Sequence, residues 1–503
     1  MMKRIALATL LALAASAAGQ EPKPIFEGGG ISVYAKADFD AGENPFAAGG
    51  ALTAALIDSA KGALSGKSLH LTTGKDATSF GGLSVPVAAT GPKDLKIAFC
   101  IRAKGLGRLA VNFADRAHRD NTTPVSPPIP RQDVWQTVIL HVQDFRYNAG
   151  QFSDKPKPNA KFSGLSFHGP VAGGAGVDLK IDKFIMYRGD DVAPPTAPTG
   201  VKAQLKPKGV VILTWTEPRD NAFPVVYSIY RRRGPQWAKV GESMRPTFTD
   251  TTTRPGRYVY RVTAADYENN CSPPSADRAV IVSTTGKAEK VADPRVTDRT
   301  AYAANVRKIR AAGAGKTRRH AILYFGDSIT AAHPYMHALT GCLGQGIGVR
   351  HGYGGQTTAF AKGKIDEFLK SVNPEFAVVM FGTNDSKNTQ SVQGSMKNLA
   401  YVIDACAKHG TVPVVATIPP RGYQLDQPGE RHYNAQLIKL CRMKKVPISY
   451  VFEAMIPKDL KTMLGDGVHL TSGPGNAAAG DALRKTFDQI AWALRDTCRT
   501  WKK

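Results

Sequence analysis

Three short runs in the last third of the chain, 321–325, 376–381 and 412–418, are almost wholly apolar. Runs of that length are too short for buried helices but suit strands covered on both faces, the situation of a parallel sheet flanked by helices. Between and after them the period changes. Met396, Leu399, Val402, Ile403 and Cys406 recur at helical spacing up to a capping Gly410, and Ala479, Leu483, Phe487, Ile490 and Leu494 form a second amphipathic stretch. An α/β unit is therefore expected from residue 319 to 503. In open sheets of this kind ligands sit beyond the carboxyl ends of the strands, so the loops just after the apolar runs are the place to look.

Those loops are distinctive. Gly326-Asp327-Ser328-Ile329-Thr330 follows the first run, Gly382-Thr383-Asn384-Asp385 the second, Gly352-Tyr353-Gly354-Gly355-Gln356-Thr357 lies between them, and Asp466-Gly467-Val468-His469-Leu470-Thr471 stands near the end. A serine hydroxyl is a weak nucleophile until a base takes its proton, and a neutral imidazole serves near pH 7 once a carboxylate fixes its tautomer. Ser328, His469 and Asp466 fill those roles, with acid and base only three residues apart on one loop. The four blocks, in this order, resemble those of the SGNH or GDSL hydrolases over residues 319–500. The resemblance implies a three-layer α/β fold and an oxyanion hole made by the backbone N–H of Ser328, the backbone N–H of Gly355 and the side-chain amide of Asn384. Absence of a Cβ at Gly355 lets the backbone approach the substrate. Arg350-His351 stands where that family often has Asn, and Asp327 is expected to orient the nucleophile loop. His333, Tyr335 and Tyr353 either line the substrate pocket or pack. The chain contains no Gly-x-Ser-x-Gly elbow and no His-Glu-x-x-His pair, and the resemblance requires neither cofactor nor metal for catalysis.

At 503 residues the chain has room for about three domains. Lys3 and Arg4 precede an apolar stretch, 5–15, and small residues at 15–19, so 1–19 reads as an export signal; no later run is long enough to span a bilayer. Residues 25–190 read as a β domain. Leu95, Ile97, Phe99 and Ile101 alternate, as do Leu109, Val111 and Phe113 after the Gly105–Gly107 turn, a hairpin pattern. This region resembles the jelly-roll carbohydrate-binding modules of secreted polysaccharide enzymes, in which Trp135 is either a sugar platform or core. Asp38, Asp40, Glu43 and Asn44 either hold a structural calcium or form a polar turn. A Pro-rich boundary at 193–200 leads into 195–285, which resembles a fibronectin type III domain through Leu213-Thr-Trp215, Tyr227-Ser-Ile-Tyr230 and the 258–264 strand. Residues 286–318 read as a basic linker helix, with six Lys or Arg and no acid between 307 and 319.

The net charge is +25, and residues 288–503 hold +13 of it. A basic balance fits an anionic polymer, an anionic membrane or nucleic acid, and export makes nucleic acid the poorest fit. Six cysteines are spread along the chain, with bridges open among Cys342, Cys406, Cys441 and Cys498. The expectation is a secreted or periplasmic serine esterase that removes acetyl groups from polysaccharide through an acyl-enzyme on Ser328. A lipid esterase or thioesterase is the enzymatic alternative, though the loop 419–423 is polar where a long acyl chain needs an apolar groove. A basic polysaccharide- or wall-binding protein is the non-enzymatic one.

Overall fold

A computed structural model describes residues 22–49, 52–75, 77, 79–106, 109–115, 120–124, 132–147, 154–170, 176–232, 237–251, 256–282, 296–332, 348–387, 392–422, 428–455 and 459–495. The export-signal stretch, His333, Tyr335, Tyr423, Cys342 and Cys498 lie outside them. The chain divides into two compact units, 1–292 with 495–503, and 293–494. No helix among the described residues is long and apolar enough to cross a membrane.

The first unit is β structure. A seven-stranded and a six-stranded antiparallel sheet enclose one core. Strand Leu95–Lys104 supplies Ile97, Phe99 and Ile101 to it, and strand Ala110–Asp115 supplies Val111 and Phe113. These two strands do not form the expected hairpin. Leu95–Lys104 pairs with Gln136–His141 and Asp178–Gly189 in one sheet, and Ala110–Asp115 pairs with its own partners in the other. Alternation reports which faces are buried, and both strands satisfy it from opposite sides of one core. A three-stranded and a four-stranded sheet then pack around Leu213, Trp215, Tyr227, Ile229, Tyr260 and Val262. Within this unit the buried Lys96 Nζ donates to Glu268 Oε1 at 2.7 Å, joining the two pairs of sheets. Asp38 and Asn44 accept the N–H two residues on, from Asp40 and Phe46, as in local turns, and Asp40 accepts from Lys67 N, tying the acidic segment to the start of another strand.

In the second unit five parallel strands lie in the order β2-β1-β3-β4-β5, with β1 Arg318–Gly326, β2 Gly348–Gly352, β3 Pro374–Met380, β4 Val412–Ala416 and β5 Ile448–Ser449. Ile322, Tyr324, Phe376 and Val378 face one layer of helices, while Leu323, Phe325, Ala377 and Val379 face the other. Helix α1, Val296–Ala312, belongs to the first of those layers. The expected linker helix is therefore an integral part of this unit: Tyr302, Ala303, Val306 and Ile309 sit in its core, and Arg310 Nε pairs with the buried Glu375 Oε1 at 2.6 Å. The apolar stripe was masked in the sequence by the basic residues between its members.

The remaining helices are α2 Ser328–Ala332, α3 Thr358–Val372, α4 Thr383–Lys387, α5 Val392–His409, α6 Pro428–Lys444, α7 Val451–Met455, α8 Leu460–Met463 and α9 Pro474–Leu494. Both amphipathic stretches read from the sequence become helices, α5 and α9, with their apolar stripes inward. Asn373 ends α3 in the left-handed conformation, its N–H bonded to Leu369 O. Cys406 and Cys441 are free, buried thiols that burial pushes up to about 12, so neither takes part in a bridge.

Candidate active site

The strand register brings the sequence blocks to one edge. Gly326, the last residue of β1, lies opposite Gly352 at the end of β2 and Met380 at the end of β3. The strand order reverses between β1 and β3, so their carboxyl ends frame the crevice where open sheets take ligands. Chain leaving β1 turns directly into α2, which starts at Ser328. The buried Asp327 receives the Ile329 N–H on Oδ1 at 3.0 Å and fixes that turn, and burial pushes its carboxyl up to about 6.

Acid and base share one tight loop. An antiparallel bridge between Leu464 and Leu470 closes it, and Gly465 N donates to His469 O at 2.8 Å. Asp466 Oδ1 accepts from Val468 N at 2.9 Å and from His469 N at 2.7 Å, while Asp466 Oδ2 meets His469 Nδ1 at 2.7 Å. The backbone N–H and then the ring of His469 hold the Asp466 carboxyl well below the usual carboxylate range. The other ring nitrogen, Nε2, lies 2.9 Å from Ser328 Oγ. Gly422 N donates to Gly467 O at 2.6 Å, tying the polar loop after β4 to this one.

The two remaining blocks meet beside the nucleophile. Asn384 Nδ2 donates to Gln356 O at 2.8 Å, which sets its amide against the glycine block. Gly355 has φ 72°, a left-handed conformation that glycine adopts without strain, and a Cβ there would meet nothing within 4 Å. Gly352 is needed for closeness instead: a Cβ would lie 2.2 Å from Ala331 N in α2. Tyr353 N donates to Gly326 O at 3.0 Å. The Tyr353 ring stacks on Phe368 with centroids 5.8 Å apart, and its hydroxyl meets His351 Nδ1 at 3.1 Å, so this side chain is used in packing. Trp135, in the first unit, is half-buried just ahead of strand Gln136–His141.

One residue of the site went unassigned in the sequence. The buried Asp385 accepts from Thr358 N at 3.0 Å, Thr358 Oγ1 at 2.5 Å and Ser395 Oγ at 2.9 Å, bracketing the glycine block and the start of α5. Its place beside Asn384 was a signal, but its partners are remote in the chain.

The GDSL-like Lipase/Acylhydrolase family matches residues 324–473. Among curated proteins, Exoglucanase B of Cellulomonas fimi is 34% identical over 96 residues, 19% of this chain and 8% of that protein. The uncharacterized lipoprotein YqeF of Bacillus subtilis is 36% identical over 75 residues, 14% of this chain and 31% of that protein. The chain thus spans less than a third of either relative. Among solved structures, the acetyl xylan esterase AlAXEase is 20% identical, with a TM-score of 0.31, over 33% of this chain and 98% of that one. The family match and the four blocks coincide, and residues 324–473 are a GDSL-like lipase/acylhydrolase domain, the domain of a serine hydrolase.

Proposed function

We propose that the protein is an exported carbohydrate esterase that removes short acyl groups, acetyl above all, from polysaccharide hydroxyls. The observation that carries this reading is the relay from Ser328 Oγ through His469 to Asp466, with spans of 2.9 and 2.7 Å.

Ser328 Oγ attacks the acyl carbon while its proton passes to His469 Nε2. The carbonyl oxygen becomes an oxyanion held by the N–H groups of Ser328 and Gly355 and the Asn384 amide, which act where charge develops. Collapse breaks the bond to the sugar oxygen. That oxygen leaves with the proton from His469, and the acyl group stays on Ser328. Water then gives a proton to His469 and attacks the ester, releasing acetate and restoring the serine. His469 is partly exposed, which gives the hydrolytic water a route.

The substrate class draws on three features. Arg421, ion-paired with the buried Glu430 at 2.9 Å, puts a charged pair in the loop after β4, where a long acyl chain needs an apolar groove. The β domains, jelly-roll-like and fibronectin type III-like in pattern, are the company kept by enzymes of insoluble polymers. A segment of the chain also resembles part of an exoglucanase. Binding to the polymer through the first β domain would raise the enzyme's local concentration there. Acetylated xylan and a second acetylated polysaccharide, assayed for acetate beside a series of p-nitrophenyl esters, test this: acetate release with a preference for the acetyl ester is expected, and preference for long acyl chains with no acetate released rejects it.

A further inference from the structure

Three acids far apart in sequence meet inside the first unit. Asp191 follows strand Asp178–Gly189, Asp220 lies on the segment between strands Val210–Thr216 and Val226–Arg232, and Asp266 directly follows strand Gly256–Ala265. One carboxylate oxygen from each lies within 4.8 Å of the other two. Asp191 and Asp266 are buried, and Asp220 is half-buried.

Hydrogen bonds within the unit occupy one oxygen each of Asp191 and Asp220 and both oxygens of Asp266. Asp191 Oδ1 accepts from Asn221 Nδ2 at 2.9 Å and Ala193 N at 3.0 Å, and Asp220 Oδ2 accepts from Ala222 N and Phe223 N at 3.0 and 2.7 Å. Asn270 donates to both oxygens of Asp266. Asp191 Oδ2, on a side chain with 0% exposure, and Asp220 Oδ1 are buried with no donor. Buried carboxylate oxygens without a donor or a cation are costly. The neighbouring cation is Lys36, whose Nζ donates to the backbone oxygens of Asp220 and Asn221, and Glu268 nearby already has Lys96. When all three ionise, as they would to hold a cation, three carboxylates against the Lys36 ammonium carry two negative charges, the charge a divalent ion balances.

We infer that Asp191, Asp220 and Asp266 bind one calcium ion that fastens the two pairs of sheets of the first unit together. A divalent ion neutralises the remaining charge and supplies the partner that the two bare oxygens lack. The centre of a triangle with sides of at most 4.8 Å lies within about 2.8 Å of each corner, a span that admits the roughly 2.3–2.6 Å of calcium–oxygen bonds. An all-oxygen donor set disfavours zinc and copper.

The test uses the full chain, stripped with EGTA and re-equilibrated with calcium chloride. About one calcium per chain by elemental analysis and a rise in Tm of about 5 °C over the stripped protein are expected. Asp220→Asn, at the half-buried corner, should bind calcium at least tenfold more weakly and lose the rise, whereas Asp133→Asn, an exposed acid paired with Arg102, should keep both. Terbium luminescence on the wild type, displaced by calcium, gives a readout that needs no variant. Identical melting with and without EGTA and no bound ion would overturn the inference, as would undiminished calcium affinity in a folded Asp220→Asn.

Discussion

The carboxylate of Asp385 takes both the backbone N–H and the hydroxyl of Thr358, residues 27 apart in sequence. By these bonds the start of α3, just beyond Gly355, is fixed against α4, which carries Asn384. Asp385→Ala would leave these donors and the Ser395 hydroxyl buried without an acceptor, and should cost about 2–4 kcal/mol of stability. Asp385→Asn, which keeps one acceptor oxygen, should cost less. Urea denaturation of the three proteins checks the order.

Gly352 and Gly363 make a matched pair. A Cβ at 352 would press on the backbone of α2 at Ala331 N, whereas at 363, inside α3, it meets nothing within 4 Å. Gly352→Ala should therefore shift the nucleophile and lower kcat by at least about tenfold, since small misplacements of reacting groups are costly. Gly363→Ala should leave kcat unchanged and add up to about 1 kcal/mol of helix stability. Steady-state kinetics and thermal melts separate the two.

Asp327 makes a prediction about pH. Its folded carboxyl keeps a proton up to about pH 6, while an unfolded one releases it near about 3.9. Between those values the native state binds more protons, so this residue makes stability fall as pH rises from about 4 to 6. Asp327→Asn should remove that component, and its stability relative to wild type should rise by about 1–3 kcal/mol between pH 4 and pH 7. A flat difference across that range would contradict the assignment.

Arg310 tests whether α1 belongs to the catalytic unit. Arg310→Ala strands the Glu375 carboxylate, which is 3% exposed and also accepts the His320 N–H. A loss of about 3–5 kcal/mol is expected for a buried pair broken on one side. Activity and stability of the unit should fall together, as they would not for a helix that only links domains.

The parts of this architecture that were legible in the sequence are those with short-range signatures. Continuous apolar runs marked β1, β3 and β4, and the Asp466–His469 spacing placed acid and base on one loop. The sequence could not show β2, an edge strand with no buried residue, nor β5, which is two residues long. The stripe of Tyr302, Val306 and Ile309 was hidden by the basic residues around it. Alternation in 95–113 reported faces truly but not partners, and so suggested a hairpin where the strands enter different sheets. Asp385, Gly352 and the Gly422–Gly467 bond matter through contacts between distant segments, which local patterns do not encode.

The relay at Ser328 is tested most directly by p-nitrophenyl acetate turnover of wild type, Ser328→Ala and Asp466→Asn. Wild type should turn over. Ser328→Ala should lose at least about 10⁴-fold in kcat, and Asp466→Asn, which disturbs the histidine tautomer, should lose roughly 10²–10⁴-fold. Turnover by Ser328→Ala within tenfold of wild type would contradict the account, because no acyl-enzyme could then pass through this serine.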